Sequence, residues 1–266
     1  MNIADFLWLW GQDAGTHHEA VDKNGNMLWK LPGINRMTPC EGAEFFGIPN
    51  MCRVTMLNKP EPPFDNEMEK LSGCKKVAWS IIGDEGSKRT NGGKSDIDEV
   101  LRLAAKYRNV TGGIMDDFFT PERRAVYTPS VLRGFADRLH GAGLDLWTVI
   151  YEHQLDLPVD DQLKECDIVS FWTWRAENLS RLEENMSRLE SKISKKQKIY
   201  AGCYMWDYGG KDIMPLETME YQLEVYKKWL FDGRIEGIVL CSNCIADIGL
   251  EAVDFTKQWI EQNKEI

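Results

Sequence analysis

A single closed (β/α)8 barrel, the TIM-barrel fold, is the class this sequence predicts, and three observations carry it. The chain has 266 residues, close to the about 250 typical of one such barrel. Eight short apolar runs alternate with longer stretches of helical period, the sequence form of βαβ units around a parallel sheet. No Pro-, Gly- or Ser-rich linker divides the chain, so residues 1–266 read as one domain. The runs begin near Asp5, Met51, Val77, Thr111, Leu144, Asp167, Lys198 and Ile235, roughly 33 residues apart, enough for one strand and one helix per unit. An open doubly wound sheet would ask for an early G-x-G-x-x-G, and the sequence has none.

Each element has a local reason. ADFLWLWG reads as the first strand because its apolar residues are continuous, as in a sheet covered on both faces. KLPGINRMTPCEGAEFF is a long excursion expected to fold over the barrel mouth. MCRVTML and KVAWSIIG are strands two and three, after which Ser95 opens a helix with Ile97, Leu101 and Ala104 on one face. VTGGIMDDFF is strand four. Thr128-Pro129 then starts a helix striped by Val131, Leu132, Phe135 and Leu139, which Gly141 and Gly143 stop. LDLWTVIYEH and DIVSFWTW follow as strands five and six, with Leu179, Leu182, Met186, Leu189 and Ile193 on the next helix. KIYAGCYMWD is strand seven, Met214-Pro215 opens its helix, and IEGIVLCSN is strand eight. Trp8, Trp79, Trp147, Trp229 and Trp259 lie in strand bodies or helices and read as core.

Composition narrows the function. With 32 basic and 42 acidic residues the net charge is −10, the wrong sign for neutralising phosphates, so nucleic acid and anionic membranes are not expected partners. The Phe6–Trp10 run is far shorter than a spanning helix and lacks a basic region before it. A soluble protein without membrane insertion is expected, cytoplasmic or else secreted with its leader removed. Seven scattered cysteines do not suggest a disulfide framework. The lone Cys241-x-x-Cys244 reads as small residues finishing a buried strand, so neither a metal nor any other cofactor is expected.

Chemistry in such barrels sits at the carboxyl ends of the strands. There the sequence places Gln12, Asp13, His17 and His18 after strand one, Asn58 after strand two, Asp84 and Glu85 after strand three, and Asp116 and Asp117 at strand four. Strand five ends at Tyr151, Glu152 and His153, strand six at Trp172, Trp174 and Arg175, strand seven at Tyr204, Trp206 and Asp207, and strand eight at Asn243. Converging carboxylates raise one another's pKa, which makes a general acid near neutral pH. The rim aromatics, Trp10 included, suit the apolar faces of sugars. With Val110 and Ile114 set against the helices, strand pleating points Gly113, Met115 and Asp117 inward and leaves Asp116 to orient a neighbour.

An acidic residue ending strand four, a second carboxylate at a later strand end and Trp or Tyr on several rims resemble the (β/α)8 glycoside hydrolases across nearly the whole chain. The resemblance is to the superfamily. GGIMDDFF departs from the D-x-x-D-x-D-x-E of family 18 chitinases, and Asp116-Asp117 and Trp206-Asp207 stand where the large retaining clan carries Asn-Glu and Glu. It implies an oligosaccharide or glycoside ligand and hydrolysis by paired carboxylates: Asp117 as acid, Glu152 as partner, Asp207 as substitute. Such pairs stand about 5 to 5.5 Å apart in retaining enzymes and about 6.5 to 9.5 Å apart in inverting ones.

Two other classes fit parts of the pattern. His17, His18, Glu85, Asp116, Glu152 and His153 are metal-ligand types, as in a metal-dependent barrel hydrolase or isomerase, although adjacent histidines are not the H-x-H of amidohydrolase-like barrels. A barrel that binds carbohydrate without cleaving it is the third. Arg175 suits a uronic acid or a rim salt bridge equally.

Overall fold

The computed structural model describes residues 2–264 and is a closed barrel of eight parallel strands. The strands are β1 (Leu7–Gly11), β2 (Asn50–Arg53), β3 (Lys76–Ile82), β4 (Val110–Met115), β5 (Asp145–Tyr151), β6 (Ile168–Trp172), β7 (Lys198–Tyr204) and β8 (Gly237–Cys241). All eight apolar runs of the sequence are therefore strands. Closure is made by β1, which pairs with β2 through Trp8↔Asn50 and with β8 through Leu7↔Ile238.

The helices are α1 (Thr16–Glu19), α2 (Pro39–Phe46), α3 (Asp65–Lys70), α4 (Ile97–Lys106), α5 (Pro121–Val126), α6 (Pro129–His140), α7 (Asp160–Leu163), α8 (Leu182–Glu190), α9 (Leu216–Phe231) and α10 (Glu251–Gln262). In α6 the expected start holds, with Pro129 in the first turn after Thr128, and Gly141 is its C-cap. Two boundaries differ from expectation. Asp96, one residue after Ser95, is the N-cap of α4, and the last stripe overruns α8 at both ends, with Leu179 in a 3-10 turn (Ala176–Arg181) that runs into the helix and Ile193 in the bend after it. The excursion at residues 30–46 does not cover the mouth as expected: its residues from Pro39 form α2, a barrel helix packed on β1 and β2, and the segment before it, with a turn bridged by Val21 and Met27, reaches the mouth instead.

Aromatic rings fill the lower barrel. Trp8, Trp147 and Tyr200 meet there, with centroids 5.0, 5.9 and 4.6 Å apart. Rings this large fit because facing positions carry no side chain: a Cβ on Gly202 would stand 1.9 Å from the Trp172 ring, and one on Gly112 would stand 2.6 Å from the Trp147 indole nitrogen. Gly113 instead faces Ile81 and Leu139 of α6. The parity of β4 is thus the reverse of the sequence expectation: Gly112, Ile114 and Asp116 face the interior, because the aromatic layer, more than the β-branched pair, decides which residues point in.

Candidate active site

Above that layer the barrel opens into a cavity of ≈ 350 Å³ at the carboxyl ends of the strands, a size suited to a small organic ligand. One wall is acidic: Asp84 and Glu85 from the loop after β3, and Asp116 and Asp117 beyond β4. The opposite wall is aromatic, built from Trp10, Tyr151, Trp172, Trp174, Tyr204 and Tyr208, with Trp29 descending from the excursion after β1. These rings touch in series: Trp10 and Trp172 at 5.4 Å, Trp172 and Tyr204 at 4.7 Å, Tyr204 and Tyr208 at 4.9 Å, Tyr208 and Trp29 at 5.2 Å.

The acidic wall is held from behind by Arg123 of α5. Its buried guanidinium donates to the main-chain oxygens of Gly83 (2.8 Å), Asp84 (2.7 Å) and Asp116 (2.6 Å) and to the Asn91 side chain (2.9 Å). A planar fork with five donors can tie two strand ends together in this way, and a lysine cannot. Asp117 follows with a left-handed φ of 43°, which turns its carboxylate back over the cavity despite its outward strand parity. There it accepts from the Tyr151 hydroxyl at 2.9 Å and from the Glu85 amide at 3.3 Å. Both aspartates therefore line the cavity.

Burial separates them. Asp116 is 5% exposed, and burial, reinforced by the negative charges of Asp117 and Asp84, pushes its carboxyl well above the usual range. Burial also raises Asp84, which accepts from the amides of Leu57 (3.0 Å) and Gly86 (3.1 Å). Asp116 is thus the carboxyl whose protonated form the site favours. Burial holds Tyr151, Tyr204 and Tyr208 protonated.

At the β1 side, Tyr208 donates to His17 Nδ1 at 2.8 Å, and His17 Nε2 faces the Gln12 side-chain oxygen. Burial, with His18 nearby, lowers the His17 pKa to about 3, so the ring is neutral and both nitrogens are engaged. The rest of Gln12 is held by Asn243, whose amide exchanges two hydrogen bonds of 2.9 Å with its main chain.

Several expected site residues stand elsewhere, each for a visible reason. Glu152 does not line the cavity: its carboxylate accepts from the Trp174 amide and from Asn178, both at 2.9 Å. Burial opposes its ionisation, yet bonds from His153, Trp174 and Asn178 keep it below the usual range, the state of a loop brace. Asp207 accepts from the Gly210 amide at 2.7 Å within a small hairpin, Trp206–Asp207 with Asp212–Ile213. Trp206 braces the excursion by donating to Trp29 O at 3.2 Å. Asn58 receives Arg89, His18 meets Pro32 O at 3.0 Å, and Arg175 lies 3.8 Å from Glu177. Asn243 is a buried clamp with no face on the cavity. His153 lines an outer vestibule with Tyr151 and Trp174.

Trp10, Gln12, His17, Glu85, Asp116, Asp117, Tyr151, Trp172, Trp174 and Tyr204 do converge. Sequence reasoning missed Trp29, Tyr208 and Arg123. The first two lie on excursions whose paths carry no periodic signal, and Arg123 sits on a helix where an arginine ordinarily reads as solvent-facing. Cys241 ends β8 in the cavity wall and Cys244 is buried, so this C-x-x-C closes a strand as expected; all seven cysteines are free. Among the described residues, no group of three or more His, Cys, Asp or Glu side chains is arranged to hold a metal ion, and no helix is long and apolar enough to cross a membrane.

No family model matches the chain, and no curated protein does. Solved structures are similar in fold. The chain is similar to the spore cortex-lytic enzyme SleL of Bacillus megaterium QM B1551, with TM-score 0.57 and 10% identity over 98% of this chain and 75% of that one. It is also similar to a probable 2-pyrone-4,6-dicarboxylic acid hydrolase of Acinetobacter baumannii, with TM-score 0.55 and 11% identity over 98% and 93% of the two chains. A mutant tryptophan synthase α-subunit of Pyrococcus furiosus follows at TM-score 0.50 and 12% identity, over 98% and 97%. At such identities the likeness is one of fold alone: the chain is a TIM barrel.

Proposed function

We propose that this barrel is a carbohydrate-active hydrolase that cleaves a glycosidic bond with Asp116 and Asp117. One observation carries the reading: a buried carboxyl whose protonated form is favoured and a second, adjacent carboxyl group share a cavity with a wall of aromatic rings. Asp116 is the general acid, passing its proton to the leaving oxygen as the glycosidic C–O bond breaks. Asp117, fixed by the Tyr151 hydroxyl, is the partner that attacks the anomeric carbon or activates water. The rings offer flat faces to sugar C–H groups and exclude water from the reacting centre. The acid role thus passes from Asp117 to Asp116, and Glu152 and Asp207 leave the catalytic set because hydrogen bonds hold them elsewhere. The fold also serves a spore cortex-lytic enzyme, so it accommodates lytic chemistry, while the function rests on the site itself.

A metal-dependent reaction has less support, since both His17 nitrogens are engaged. The test is a panel of oligosaccharides and aryl glycosides, followed by release of reducing ends or aglycone. Turnover of one class, unaffected by EDTA, is expected. Glycan-induced thermal stabilisation with no turnover of any panel member would contradict hydrolysis and leave a carbohydrate-binding barrel; a ligand at a hundred times its Kd adds about 2.7 kcal/mol.

A further inference from the structure

The cavity has a charge pattern that glycoside hydrolysis alone does not require. Asp84, Glu85, Asp116 and Asp117 line it, and none of the described residues lining it is Lys or Arg. Arg123, the nearest guanidinium, stands behind the wall with its donors committed to main-chain oxygens and Asn91. Lys211 belongs to the outer vestibule. Several of its donors are already engaged. The Gln12 amide nitrogen is turned to Met56 Sδ at 3.2 Å, the Trp172 indole N–H to Ser170 at 2.8 Å, and the Tyr151 and Tyr208 hydroxyls to Asp117 and His17. Neutral sugars need donors for their hydroxyl oxygens, and uronic or phosphorylated sugars need a cation. This cavity offers carboxylate oxygens and the faces of Trp and Tyr rings, which together favour a cation.

We infer that the sugar seated in this cavity carries a free ammonium group, held between the acidic wall and the aromatic rings. The proposal rests on the glycoside reading and specifies its substrate class as an amino sugar that is not N-acylated. An ammonium supplies three donors to a wall of acceptors and meets no competing cation. An N-acetyl group would present an uncharged amide and a methyl in the same place. Glu85, an exposed residue of the cavity lining, is the carboxylate that tunes this preference without taking part in proton transfer.

The experiment is isothermal titration at mildly acidic pH with three probes of equal length: a glucosamine oligomer, its N-acetylated counterpart and an oligogalacturonate. Free aminohexoses of gluco, galacto and manno configuration serve in a parallel thermal-shift series, and every mixture is analysed for cleavage. The aminated probe of at least one series should bind about tenfold or more tighter than its N-acetylated form, on the scale of a desolvated cation–π contact with ion pairing. Raising salt from about 0.1 M to about 1 M should shrink the advantage, and Glu85→Gln should cut it several-fold. Equal binding of the two forms, tighter binding of the uronate, or no binding of any aminated probe would overturn the inference. Selective binding without cleavage would refute hydrolysis and keep the ammonium site. Cleavage of acetylated or neutral glycans with no amine preference would do the reverse.

Discussion

At the scale of single residues, the site turns on a carboxyl whose neutral form folding favours. Asp116 has its pKa raised by burial and by two acidic neighbours, so the unfolded chain releases that proton at lower pH than the folded chain does. The sign follows: the folded state binds the extra proton, and stability contributed by Asp116 is complete at low pH and falls as pH rises above the unfolded aspartate value. Asp116→Asn keeps the shape, removes this cost and is expected to raise stability near neutral pH while abolishing turnover. Denaturant melts of the variant beside the wild type check this; a destabilised variant would mean that the protonated carboxyl makes bonds an amide cannot. His17 has the opposite sign. Its folded pKa of about 3 lies below the unfolded 6.5, so the stability it contributes is complete above pH 6.5 and is lost as pH falls toward 3. Replacing His17 with Gln should flatten the pH–stability curve across that window; an unchanged curve would assign the acid sensitivity to other groups.

At the scale of elements, two contacts set the geometry. Arg123 ties the ends of β3 and β4 through main-chain oxygens, so Arg123→Lys, which keeps the charge and loses the fork, should cost roughly 2–4 kcal/mol and lower kcat more than it changes KM. Equal loss for Lys and Met replacements in stability, with kcat untouched, would mark a purely structural role. Gly202 gives its space to Trp172. Gly202→Ala should destabilise by about 1–3 kcal/mol and disturb the aromatic wall above it, visible in near-ultraviolet circular dichroism. Much of this level was legible in advance. Strand runs, the Thr128-Pro129 start of α6 and the ring-bearing strand ends are local signals, and they fell where expected. The parity of β4 was not local. It is decided by where Trp147 and Tyr200 need room across the barrel, and no alternation within VTGGIMDDFF carries that information.

At the scale of the whole molecule, the eight-unit alternation specified the barrel because every unit buries its strand between helices and an interior layer, and closure removes the two free edges that an open sheet would leave. The site was legible to the level of which strand ends meet, and not to which side chains turn inward. Glu152 and Asp207 were offered by position alone, yet the loops beyond β5 and β7 fold back and engage their oxygens as acceptors of hydrogen bonds from backbone amides. Tyr208 and Trp29 arrive from chain excursions that sequence period does not describe. What remains from the sequence is the juxtaposition that matters: the acidic end of β4 facing the rings of β5, β6 and β7.

The most direct test compares kcat/KM of the wild type, Asp116→Asn, Asp117→Asn and Glu152→Gln on one glycan that the wild type cleaves. Loss of about 10²-fold or more in each aspartate variant is expected, with Glu152→Gln within a few-fold of wild type once its folding has been verified. Near-normal turnover by Asp116→Asn, or a Glu152→Gln variant that folds fully and is as inactive as the aspartate variants, would contradict the assignment of the chemistry to the end of β4.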